Sequence, residues 1–165
     1  MNSFILLAFL ILLSAFFSSS ETAFSSINKI RLKKFANDGK RGSKKALHLV
    51  QSQNFDKTLS TILVGNNIVN IAAASISTKI ATDLVGGNSG VVISTVVMTI
   101  LILTFGEILP KSLAKEHAET YSMSISIVMY MLIKLLEPIN FLFLKLKEVM
   151  NKFMSKNQIT IHHRR

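Results

Sequence analysis

The sequence predicts an all-α membrane protein, and three observations carry that prediction. Three apolar runs are long enough to cross a bilayer, Lys and Arg gather in one connection between them, and a few polar residues recur inside the runs at similar depth. The 165 residues are 49% hydrophobic with a mean hydropathy of +0.43. Nineteen Lys+Arg against nine Asp+Glu give a net charge of +10. Spread evenly, that charge would suit nucleic acid. Segregated between apolar runs, it suits a lipid surface, and no nucleic-acid partner is expected.

The absence of cysteine excludes a disulfide scaffold, a thiolate zinc site, an iron–sulfur cluster and a cysteine nucleophile. There is no nucleophile elbow and no phosphate loop, and His48 and His117 are lone histidines in polar stretches. No enzyme is expected.

The first span covers 4–24. It is apolar from Phe4 to Phe17 except for Ser14, then passes through Ser18-Ser19-Ser20-Glu21-Thr22 to Phe24. Nothing basic precedes Lys29 and no small-residue cleavage site follows, so it reads as an uncleaved span and not a signal peptide. About 20 residues at ~1.5 Å each cross the roughly 30 Å hydrocarbon layer.

Between Asn28 and Lys57 stand nine Lys/Arg: Lys29, Arg31, Lys33, Lys34, Lys40, Arg41, Lys44, Lys45 and Lys57. Apolar Ile30, Leu32, Phe35 and Ala36, then Ala46, Leu47 and Val50, recur at helical spacing around a break at Asp38-Gly39. The segment 28–52 therefore reads as two short juxtamembrane helices on anionic lipid; a solvated loop is the alternative.

The second span, 59–82, carries Gly65-Asn66-Asn67 and Asn70, then small Ala72-Ala73-Ala74-Ser75, which suit close helix approach. A short loop from Asp83 to Gly90 has no basic residue, and the third span, 91–109, ends in Gly106-Glu107. With positive loops inside, the chain is expected to be multi-pass in the plasma membrane, N-terminus outside and C-terminus cytoplasmic. Segment 115–152 tempts a fourth span at Tyr121 to Leu144, but Lys134 and Glu137-Pro138 interrupt it. A bent amphipathic helix along the inner leaflet, completing a belt around the bundle, is expected instead. The transmembrane domain is then 1–154, and 155–165 a linker or tail.

Polar residues inside a span need a partner or a cavity, so their depths are informative. Counted from the outer ends, Ser19 lies 15 residues past Phe4, Asn66 lies 16 inward from Thr82, and Glu107 lies 16 past Val91. At ~1.5 Å per residue all three reach roughly 23 to 24 Å, with Asn70 one turn shallower on the face of Asn66. Pro110 has no N–H, so the Gly106 carbonyl four residues earlier loses its helical partner, and Gly65 permits a break in span two. Oxygen donors are thus Ser18, Ser19 and Ser20, Asn66, Asn67 and Asn70, the Glu107 carboxylate and the Gly106 carbonyl, without His or Cys. That chemistry suits Mg²⁺, Ca²⁺ or Na⁺. Competing readings are serines bonded to their own backbone, asparagines as interhelical glue, and Glu107 snorkelling near Lys111. Glu21 is expected to pair with Lys29 or cap the basic helix.

Three stretches, Ser18-Ser19-Ser20-Glu21-Thr22-Ala23, Val64-Gly65-Asn66-Asn67-Ile68-Val69-Asn70 and Phe105-Gly106-Glu107-Ile108-Leu109-Pro110-Lys111, resemble in order and spacing the transmembrane domain of the CorC/CNNM magnesium transporter family, also called haemolysin-C-like. The resemblance implies a homodimer exporting Mg²⁺, with coupled Na⁺ entry, and an ion held by Ser19, Asn66, Asn70 and Glu107; Ser18 or Ser20 is an alternative to Ser19. It implies also that relatives continue into ATP-binding CBS domains, which this chain lacks, so it is expected to be a transmembrane-domain piece or a truncated member. The rival to transport is a non-transporting Mg²⁺-binding sensor or scaffold module.

Overall fold

The structure is a computed structural model that describes residues 3–138, Phe141 and Lys145, with Gln53 described in its backbone alone. The helix through Tyr121 ends at Leu135 with a turn at Leu136, beside the Glu137-Pro138 position where the bend is expected. Most of the second half of that bent helix and all of the expected tail lie outside the described residues. Regular structure among the described residues is entirely helical: α1 (Ser3–Ser26), α2 (Lys29–Asn37), α3 (Ser43–Leu49), α4 (Ser52–Val85), α5 (Gly87–Leu101), a π-helical segment (Ile102–Ile108), α6 (Leu109–Glu116) and α7 (Ala118–Leu135). Three rods are long and apolar enough to cross a membrane: α1, α4 from Asn54, and the continuous rod from Gly87 to Glu116. These are the three expected spans.

The chain turns from α4 into α5 at a single residue. Gly86 has φ 85° and ψ 148°, a conformation open essentially to glycine alone, so the expected eight-residue loop shrinks to one. The two helices then descend side by side. Gly90 brings α5 so close that a Cβ there would lie 2.7 Å from the Ala81 carbonyl oxygen. One turn on, the buried Ser94 hydroxyl donates to Ser77 Oγ at 2.9 Å. Gly90, Ser94 and Met98 form the buried stripe of α5, while Val92, Val96 and Ile100 stay exposed, as on a lipid-facing helix.

α4 runs unbroken through Gly65, so the interruption expected there is absent; the third span alone is interrupted. A helix in lipid has no water to take freed carbonyls, so glycine by itself does not open it. Gly65 instead seats a ring: the Phe17 side chain lies against its Cα, with Cδ1 3.1 Å from where a Cβ would stand.

α2 starts at Asn28, whose side-chain oxygen accepts from the N–H groups of Ile30 and Arg31, each at 3.0 Å. It stops at Asp38, followed by Gly39 at φ 72°, the break the sequence marks. Replacing Asn28 with alanine removes both bonds and is expected to cost about 1 kcal/mol of local stability. Amide exchange at Ile30 and Arg31 should quicken by about fivefold, while Ser43–Leu49 stays unchanged.

The core sits at the basic end. Phe17, Phe24 and Ile27 of α1 and its exit meet Leu32, Leu49, Val50, Ile62 and Met129 in one cluster. A smaller cluster joins Ala23, Ala114 and Ala118 beneath Tyr121. Helix α7 stays at this end along its whole length: Tyr121 rests on Ala23 and Ala114, Ser126 donates to the Gly42 carbonyl at 3.3 Å, and Tyr130 and Lys134 border Asn54 and Lys57. It therefore crosses the base of the bundle beside α2 and α3 as a belt.

Candidate cation site

α1 is the central helix, touching α4, the π-helical segment, α6 and α7. Its residues Phe17, Ser18, Ser19 and Ser20 are all buried, a full turn of the helix enclosed by neighbours. Small hydroxyl side chains make that possible, because each partner backbone approaches closely. α1 and α4 run antiparallel, Ser14 meeting Asn66 and Phe17 meeting Gly65.

Three elements come together at Ser14. Its hydroxyl donates to Asn66 Oδ1 at 3.4 Å, and a Cβ on Gly106 of the π-helical segment would stand 2.8 Å from Ser14 Oγ. The first span thus meets Asn66 five residues earlier than Ser19, about 7.5 Å from the expected level. Asn66 and Gly106 lie twenty residues on either side of Gly86, so the depth count holds for the α4–α5 hairpin. It fails for α1, which begins nearer that level than the hairpin does. Ser14 carried a signal in the sequence, as the one polar break in the run from Phe4 to Phe17 and one turn before Ser18.

The hydroxyls of the serine motif divide. Ser19 donates to the Ala15 carbonyl and Ser20 to the Phe16 carbonyl, each at 2.6 Å. Both keep lone pairs free. Among the described residues, Ser18 Oγ and Asn70 Oδ1 are buried without a hydrogen-bond partner. Such atoms are costly in a bilayer unless something meets them. Ser18 lies one turn from Ser14 and Asn70 one turn from Asn66, on opposite sides of the Ser14–Asn66 contact. Helical side chains lean toward their own N-terminus, and the helices are antiparallel, so both lean toward that contact. Asn67 is exposed on another face of α4, away from the group.

The π-helical segment supplies backbone. The N–H of Leu109 reaches back five residues to the Thr104 carbonyl. The next donor in that register is Pro110, which has none, so Phe105 loses its partner in the i→i−5 ladder and Gly106 in the i→i−4 ladder. The sequence pointed to Gly106 alone, since it assumed α-helical spacing. Glu107 follows directly, half-buried, and among the described residues it forms no ion pair. No three His, Cys, Asp or Glu side chains gather among the described residues, and the donors named beside Glu107, from Ser14, Ser18, Asn66, Asn70 and the Gly106 carbonyl, are neutral oxygens.

Glu21 pairs with Lys111, at 3.3 Å, and not with Lys29. Lys29 is turned away, its ammonium 5.4 Å from the centre of the Phe55 ring, and Asn28 already caps α2. Sequence neighbours suggested one partner, and the meeting of α1 with α6 supplies another.

The family model described as the Cyclin M transmembrane N-terminal domain matches residues 5–164. A UPF0053 protein of Haemophilus influenzae is 43% identical over 136 residues, 82% of this chain and 32% of the relative. The UPF0053 inner membrane protein YfjD of Escherichia coli is 39% identical over 107 residues, 65% of this chain and 24% of the relative. A chloroplastic DUF21 domain-containing protein of Arabidopsis thaliana is 38% identical over 115 residues, 70% of this chain and 17% of the relative. The chain spans about a third or less of the length of these curated relatives. With its three long apolar rods and a model match over nearly all its residues, the chain belongs to the CorC/CNNM family as a membrane domain.

Proposed function

We propose that this domain carries Mg²⁺ across the plasma membrane, outward from the cytosol, with Na⁺ entry as the coupled flux. The observation that carries the reading is the pair of buried, unpartnered oxygens, Ser18 Oγ and Asn70 Oδ1, flanking the junction of Ser14, Asn66 and Gly106. A hard cation gives such oxygens a partner, and Glu107 supplies charge. The working ligand set is Asn66, Asn70, Glu107 and the Gly106 carbonyl, with Ser14 and Ser18 added by their position. Ser19, about 7.5 Å nearer the belt, is a candidate for the approach to the site and not for the same shell. One carboxylate among neutral donors holds the ion loosely enough to release it.

The belt of α2, α3 and α7 bears the basic residues, so that end faces the cytoplasm and the N-terminus lies outside. The ion enters from the belt side. Beyond Asn70, a cleft of about 280 Å³ lies between α4 and α5, mainly apolar through Ala74, Met98, Ile102 and Leu103, with the hydroxyls of Thr78, Ser94, Thr95 and Thr99 on its border. The exposed apolar face of α5 meets lipid or the second copy of a homodimer.

The test is Mg²⁺ flux in proteoliposomes of this chain, with and without an opposing Na⁺ gradient. Flux above empty vesicles, stimulated by the gradient, supports transport and coupling. Saturable Mg²⁺ binding without flux under either condition replaces it with the sensor or scaffold reading.

A further inference from the structure

We infer that Glu21 is a positioning residue that holds Lys111 away from Glu107 and so keeps the Glu107 carboxylate available to a divalent cation. The inference rests on the cation-site reading above and adds a part to it.

Lys111 stands four residues after Glu107 on the same rod, the i,i+4 spacing and Glu-before-Lys order that favour an ion pair along a helix. That pair is not formed. Lys111 Nζ lies 3.3 Å from Glu21 Oε2 on α1, and Glu107 has no ion pair among the described residues. Glu21 is three residues beyond Ser18, toward the belt, so the bridge draws the ammonium off the site toward the basic end. Glu119, at the start of α7, is taken up by Arg31 at 3.8 Å.

Without Glu21, a fixed positive charge one turn from the only carboxylate of the site would act as a tethered competitor. It needs no entropy of association to reach Glu107, and it would also repel any arriving cation. The bridge is partly exposed, 38% at Lys111 and 33% at Glu21, and pairs of that kind are held weakly enough to exchange partners. A cation on Glu107 repels Lys111 toward Glu21, so loading the site tightens the link between α1 and α6.

The experiment is a Mg²⁺ titration of the purified chain in nanodiscs, comparing the parent with Glu21→Gln, Lys111→Gln and the double variant. Glu21→Gln should weaken binding on the order of tenfold, since it frees Lys111 for Glu107. The double variant should return to within about twofold of the parent, and Lys111→Gln alone should bind no worse. A double variant as weak as Glu21→Gln overturns the inference, because Lys111 is then not what weakens binding. So does a Glu21→Gln variant that binds like the parent. Glu21→Gln must also keep the parent's melting temperature to within a few degrees, since a stranded Lys111 that merely destabilised the fold would be rescued in the same way. If the parent binds no Mg²⁺, the cation-site reading fails, and melting temperatures decide the bridge separately. Non-additive shifts in the double variant then support the contact, and additive ones overturn it.

Discussion

Replacing Glu107 with alanine is expected to lower Mg²⁺ flux by roughly a hundredfold or more, equivalent to about 2.7 kcal/mol in ion stabilisation. Mg²⁺ sheds water reluctantly, and the other donors at the junction of α1, α4 and the π-helical segment are neutral hydroxyl, amide and carbonyl oxygens. Glu107→Gln keeps an oxygen donor of the same size and removes only the charge. If the charge is what holds the ion, that variant fails nearly as badly as alanine; near-parental flux would make Glu107 a packing residue. Asn70→Ala removes one neutral oxygen of the proposed site, and about a tenfold loss is expected. Asn67→Ala is the internal control, since that side chain is exposed on a different face of α4 and flux should not change. Equal loss at Asn67 and Asn70 would dissolve the proposed site.

The contrast between Asn67 and Asn70 also marks how far the sequence could be read. Hydropathy located the three spans because lipid imposes a length, and apolar residues at helical spacing located the short basic helices between the first two. The break at Asp38-Gly39 was legible because residues near a helix end carry their conformational preferences locally. The serine, asparagine and glutamate motifs were legible as polar residues at expensive depth. Relations between helices were not. Counting from span ends assumes that all helices start in one plane, and α1 does not, so Ser14 took the level assigned to Ser19. Pro110 announced an interruption but not its register, because a missing N–H frees a carbonyl in either the i→i−4 or the i→i−5 ladder and the sequence does not choose between them. Gly65 carried two meanings that sequence cannot separate, a helix break or a seat for a ring, and the Phe17 ring decides for the seat. Glu21 found its partner ninety residues on, where no helical spacing could point.

The α7 belt is held to the basic hairpin at a second glycine, and its replacement should be the most damaging of the structural variants. Gly42 has φ +79°, and a Cβ there would collide with the Met123 carbonyl group, whose carbon would lie 2.9 Å away. The obstacle is backbone of α7, which cannot rotate aside as a side chain does. Gly42 also accepts from Ser126, so moving it breaks that hydrogen bond. Gly39 separates the two effects: it has φ +72°, but none of the described residues lies within 4 Å of its missing side chain. Gly39→Ala therefore carries backbone strain alone, about 1 kcal/mol. Gly42→Ala carries similar strain plus the collision and the lost bond, about 3 kcal/mol or more in total. Thermal unfolding in detergent should show a small fall for Gly39→Ala and a fall several times larger for Gly42→Ala. Amide protection should be lost first in Ser43–Leu49 and around Met123, where the belt parts from α3. Equal falls for the two variants would mean that α3 and α7 tolerate separation, and the belt would then be held chiefly by its contacts to α1.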